Sequence, residues 1–171
     1  MARLHTSRVR SRVAKTSLAC LATAIVALAA PAADASKPPK DLWATVNICN
    51  TTKHPDSLGI RGRMPGNGTK QRMSMRFAAQ YKSNHKWHAA GAPSAWRSAG
   101  SAIYSWGETG WTFDFQKPAA GSQLVLRGVV NFRWKLHGKV RRTARAVTTA
   151  HHPSSGADPK NYSAAICRIK G

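Results

Sequence analysis

Acidic residues are almost missing from this sequence: its 171 residues hold six Asp and Glu against 27 Lys and Arg. Glu108 is the one glutamate and the aspartates are scattered, so the paired carboxylates of a glycoside hydrolase are poorly supplied. Cysteine is scarce too, with Cys20, Cys49 and Cys167 the whole stock, which excludes a multi-cysteine zinc site. Histidine alone would have to hold a metal. His85, His88 and the His151-His152 pair are poor material for that, so no metal and no cofactor is expected. Apolar runs are short, and the longest, Leu18 to Ala30, falls below the roughly 20 residues that span a bilayer. Beyond it no i, i+3, i+4 stripe persists, so no helix and no transmembrane segment is expected in the rest of the chain.

What is present begins with a targeting pattern. Arg3, Arg8, Arg10, Arg12 and Lys15 precede the apolar stretch, and the small-residue site Ala33-Asp34-Ala35 follows it. That order is the one a secretory signal peptide requires, so residues 1–35 are read as a cleaved signal and the protein as secreted. Ser36–Gly171 is then one mature domain of 136 residues, an ordinary size for a single core. It keeps two cysteines, and in an oxidising compartment an isolated pair permits one intramolecular connection, Cys49–Cys167.

Period-2 alternation dominates the mature chain. Met73, Met75, Phe77, Ala79 and Tyr81 alternate with polar neighbours, as do Trp111, Phe113 and Phe115. The longest run sets Leu124, Leu126, Val130, Phe132, Trp134 and Leu136 on one face, with Arg127, Asn131, Arg133 and Lys135 on the other. Shorter runs at Leu42–Cys49, Leu58–Met64, Val140–Thr149 and Tyr162–Ile169 bring the total to about seven strands. Without helices two sheets must cover each other, which gives an all-β, antiparallel β-sandwich. Around Gly138 an odd-length hairpin loop would set Leu136 beside Val140 and Phe132 beside Ala144 inside, with Lys135 facing Arg141 and Arg133 facing Thr143 outside. Ser83 to Gly110 is a long connection of weak period carrying Trp87, Trp96 and Trp106, and it is either functional or hides short strands.

Trp43–Cys49, Gly59–Gly66, Met73–Tyr81, the segment Leu126–Trp134 with its Arg-Gly-Val-Val core, and the closing Tyr-Ser-Ala-Ala-x-Cys of Tyr162–Cys167 carry a resemblance. Together they resemble a group of exported actinobacterial proteins with a cysteine near each end. The resemblance covers most of the mature chain and implies compartment and fold, with no activity and no site residues. In architecture the pattern also resembles immunoglobulin and fibronectin type III sandwiches. It departs from true immunoglobulin domains in that Tyr162 lies five residues before Cys167, and Trp87 is far from Cys49.

The mature segment holds 22 Lys and Arg against five acids, a net charge of +17. The cations are dealt singly along the strands rather than in a tail. Arg61, Arg63, Arg72, Arg76, Arg127, Arg133, Lys135, Arg141 and Arg145 all fall on the polar parity of their runs. If several share one sheet they form a polyanion-binding surface, and Arg72, Arg76, Arg127, Arg133, Lys135, Arg141 and Arg145 are the candidate site. The expected partners are an acidic polymer or an anionic surface: a cell-wall polymer, acidic polysaccharide or nucleic acid. The loop tryptophans Trp87, Trp96 and Trp106 either stack on such a ligand or plug an end of the sandwich. The alternative is a small secreted hydrolase acting on nucleic acid, with His88 or His151 as acid and base, Glu108 as partner base and the arginines as a phosphate clamp.

Overall fold

The computed structural model describes residues 41–171; the expected signal peptide and its cleavage site lie outside the described residues. Nine strands follow in order: β1 (Trp43–Cys49), β2 (Ser57–Pro65), β3 (Arg72–Ser83), β4 (Lys86–Ala89), β5 (Arg97–Ser101), β6 (Trp106–Asp114), β7 (Gln123–Leu136), β8 (Lys139–Val147) and β9 (Cys167–Lys170). The described residues contain no helix. β1, β2 and β6 form a three-stranded sheet. The other six form a second sheet in the order β4-β3-β7-β8, with β5 also on β3 and β9 also on β7. Every ladder between named strands is antiparallel.

The alternation in sequence becomes the two faces of each strand. Met73, Met75, Phe77 and Ala79 of β3 are buried, as are Leu126, Val130, Phe132 and Trp134 of β7. Opposite them the smaller sheet presents Val46, Leu58, Ile60 and Met64, so the core is the layer between two sheets. Trp134, the largest fully buried side chain, donates its Nε1–H to the Pro65 carbonyl at 3.1 Å, which satisfies the one polar atom it carries inside. Cys49 at the end of β1 and Cys167 at the start of β9 form the disulfide, with a sequence separation of 118, and it joins the two sheets. Constraining a loop of that length stabilises by about 4–5 kcal/mol on the chain-entropy account.

Three expectations need correction. The strands number nine rather than about seven, because the Ser83–Gly110 connection hides β4 and β5. β3 is twelve residues long, and its free edge is covered by these two short strands placed end to end. The closing strand is shorter than Tyr162–Ile169: only Cys167–Lys170 is strand, and Ala164 makes an isolated bridge to Val46. The β7–β8 hairpin combines a two-residue turn, His137-Gly138, with a β-bulge. Leu136 therefore faces Lys139 and Lys135 faces Val140. Beyond the bulge the register is the expected one, with Phe132 opposite Ala144 and Arg133 opposite Thr143. Arg141 is the extra residue, so the direct Lys135–Arg141 opposition does not form.

Candidate polyanion-binding face

The outer face of the larger sheet is built by parity. Even positions of β3 and odd positions of β7 point away from the core, and the ladders set them in rows across the sheet. Arg76, Asn131 and Arg145 make one row; Ser98, Ser74, Arg133 and Thr143 another; Ser101, Arg72, Lys135 and Val140 a third, at the strand ends. Arg127 faces Gln80 further along β7. Six of the seven candidate cations thus share one face, and Arg141, the extra residue of the bulge, has no partner in these rows. No Asp or Glu occurs in any of the six strands of this sheet. Asp41, Asp56, Glu108, Asp114 and Asp158 lie in β6 or in segments outside the strands.

Three of the arginines are held in one manner. Arg127 donates its Nε–H to Gln80 Oε1 at 2.8 Å, Arg133 to Ser74 Oγ at 2.9 Å and Arg76 to the Ser94 carbonyl at 3.0 Å. Among the described residues the terminal nitrogens of all three make no hydrogen bond, so each fork of donors faces outward. Two are stacked as well: the Arg133 guanidinium lies 3.8 Å from the Trp96 ring centroid, and that of Arg127 lies 4.2 Å from Trp87. Burial lowers the pKa of Arg127 and Arg133, and the like charges of Arg145 and Arg76 respectively lower it further. Arginine stays cationic through such shifts, so like charges accumulate on the face without a carboxylate among them.

The tryptophans come from segments with no readable period. Ser94 is buried at the edge of β3, where its N–H donates to the Phe77 carbonyl at 2.8 Å and its Oγ accepts the Phe77 N–H at 3.0 Å. That anchor places Trp96, two residues on, over the outer face. Trp87 lies in β4 opposite Lys82. Trp106 belongs to neither place: it starts β6 in the smaller sheet, is half exposed, and lies under Arg63 at 4.0 Å. The three tryptophans therefore form no common platform, and none plugs the sandwich. Each stacks on an arginine. Ser74, Gln80, Asn131 and the Ser94 carbonyl are parts of the face that charge alone did not reveal, although the polar parity of β3 and β7 carries the first three.

Arg61 and Arg63 of β2 and the sole glutamate meet on the outer face of the smaller sheet. Arg61 Nη1 donates to Glu108 Oε2 at 3.0 Å, and Arg63 Nε lies 3.1 Å from Oε1 as an ion pair without a hydrogen bond. Arg61 also donates to the carbonyls of His152 and Pro153. Its guanidinium lies 5.0 Å from the Trp43 ring, on which the His152 ring stacks at 4.2 Å. Glu108 is thus held by two arginines, while His88 lies in the other sheet and stacks on Tyr81. The histidine that shares the Glu108 cluster is His152. No protein-family model matches this chain, and no curated protein shows significant similarity to it.

Proposed function

We propose that Ser36–Gly171 is an exported binding domain of immunoglobulin- or fibronectin type III-like architecture, without catalytic activity, whose cationic sheet face engages an acidic polymer. The observation that carries this reading is the shared posture of Arg76, Arg127 and Arg133. Each has its Nε–H engaged by the protein and, among the described residues, both terminal nitrogens unpaired and no acid in the strands of the face. A guanidinium held this way offers two parallel donors to a phosphate, sulfate or carboxylate and loses little side-chain freedom on binding. The shape favours a polymer over a small anion. From Arg127 to Lys135 the cations follow one strand for about 26 Å, at roughly 3.3 Å per residue. A wall polymer, an acidic polysaccharide or a nucleic acid each present anionic groups along such a length, and counterion release then makes affinity fall with salt.

The test is salt-gradient elution of Ser36–Gly171 from an immobilised sulfated polysaccharide. Changing Arg76, Arg133 and Arg145 to Ser is expected to lower the slope of log affinity against log salt by about two to three. Changing Lys53, Lys117 and Lys160, which lie in loops, removes the same charge and is expected to move elution far less. Equal shifts from the two sets would mean that the charge acts diffusely, and the reading would fail.

A further inference from the structure

Among the described residues five large hydrophobic side chains stand out as exposed, and four of them, Ile103 (55% exposed), Tyr104 (69%), Trp106 (49%) and Val140 (51%), lie at one end of the sandwich. At that end β2, β5 and β7 finish while β3, β6 and β8 begin. Two tips result. One is the turn Ala102–Ser105 between β5 and β6, and the other is the β7–β8 hairpin with Val140 behind His137-Gly138. Between them lies an open depression of about 380 Å³ lined by Lys70, Arg72, Lys135, Leu136, His137 and Gly138.

The first tip is braced. Gly66 N–H donates to the Ser105 carbonyl at 2.8 Å, and the N–H groups of Asn67 and Gly68 donate to the Ala102 carbonyl at 2.9 and 2.8 Å. From below, Ala102 N–H donates to the Gln71 carbonyl at 2.8 Å. Ile103 and Tyr104 are therefore held out from the body rather than folded onto it, and a partner meets them already ordered. Acids are sparse here. Asp41 precedes β1 at this end, and Glu108 is occupied by Arg61 and Arg63.

We propose that this end docks on an anionic lipid bilayer, with headgroup phosphates in the Lys70–Arg72–Lys135 depression and Ile103, Tyr104 and Val140 at the acyl boundary. Tyrosine and tryptophan favour the depth where an apolar ring and a polar edge are both satisfied, and Tyr104 and Trp106 offer that pair. Cations beside an apolar tip supply the two signals that stable attachment to a membrane surface takes. The layout argues against a protein partner. Its apolar residues are split into two tips by a cationic hollow, whereas a protein interface gathers a continuous apolar centre inside a polar rim. A headgroup layer matches both parts at once.

The depression shares Arg72 and Lys135 with the polymer-binding face, so the test changes residues that face does not use. The described core draws only on residues from Leu42 to Ile169, so Ser36–Gly171 carries the sandwich and its disulfide. Co-sedimentation would compare vesicles of phosphatidylcholine with vesicles containing a third phosphatidylglycerol. Binding is expected to the anionic vesicles and not to the neutral ones. The double change Ile103→Ser and Tyr104→Ser is expected to weaken it about tenfold or more, and Lys70→Ser severalfold. Elution of both variants from the sulfated column should match the unchanged domain to within the loss of one charge. Vesicle binding that the double change leaves intact would overturn the proposal, because the face alone would explain it. Soluble glycerol phosphate displacing the protein as effectively as excess vesicles would overturn it too, assigning the hollow to a free anion.

Discussion

Arg133 and Trp96 meet across the outer face of the larger sheet, with the guanidinium 3.8 Å from the ring centroid and its Nε–H donating to Ser74 Oγ at 2.9 Å. Thirteen residues after β3 ends, a segment without strand period returns to place that ring. The anchor is Ser94, buried against the backbone of Phe77. The connection therefore serves the face, and the stack orients a donor pair that would otherwise sample many rotamers.

Trp96→Leu tests that service. The contact at a half-exposed site is worth about 0.5–1 kcal/mol, and losing it frees the Arg133 fork. Affinity for a sulfated polysaccharide is expected to fall about two- to fivefold at fixed salt, by titration. The slope against salt should stay unchanged, because no charge has been removed. A changed slope would mean that Trp96 orders more than one cation, and an unchanged affinity would mean that the stack is incidental.

Much of the sandwich was legible because burial imposes a period of two on long strands. β3 and β7 alternate over their lengths, and the ladder between them pairs buried with buried from Met73–Trp134 to Phe77–Val130. Six of the seven candidate cations follow from the same parity. The failures lie where the period stops. β4 and β5 are four and five residues long and mostly exposed, with too few apolar positions to alternate. The bulge at Arg141 falls in Lys139–Arg142, where Val140 is exposed and no buried side chain fixes the register. The tryptophans misled because a loop aromatic near a sheet has two ways to lose water, inside the sandwich or under an arginine. Composition does not distinguish them.

The brace at the apolar end leads to a second expectation. A Cβ on Gly66 would sit 1.7 Å from the Tyr104 carbonyl oxygen and 2.7 Å from that of Ala102, both backbone atoms that no rotamer change can move. Gly66→Ala must therefore part the two turns and disturb the three hydrogen bonds between them. Overpacking of this kind typically costs about 1–3 kcal/mol, and the loosened bonds add to it. Urea unfolding is expected to show a loss of about 2–4 kcal/mol with the disulfide intact. A loss below about 0.5 kcal/mol would mean that the turns separate freely and the tip is not rigid.

His152 gives the domain a pH dependence whose sign is fixed by its surroundings. Its ring stacks on Trp43 with planes 7° apart, and its Nε2 lies 3.2 Å from Thr149 Oγ1. Burial lowers its pKa below the ordinary 6.5, and Arg61, His151 and Arg63 lower it further against the opposing pull of Glu108. The folded domain therefore binds fewer protons at this site than the unfolded chain does between the lowered value and 6.5. The stabilisation is complete above about pH 6.5 and is lost as pH falls from there through the folded value. Protonation sets a third cation beside Arg61 and Arg63, loosening the loop that runs along β1 from Thr148 to Ala164. Urea midpoints measured from pH 7.5 to 5.0 are expected to decline across that window. His152→Gln should flatten the decline while lowering the midpoint at pH 7.5 through loss of the stack. Parallel profiles for the two proteins would assign the pH dependence to other groups and leave the Trp43–His152 stack a packing contact only.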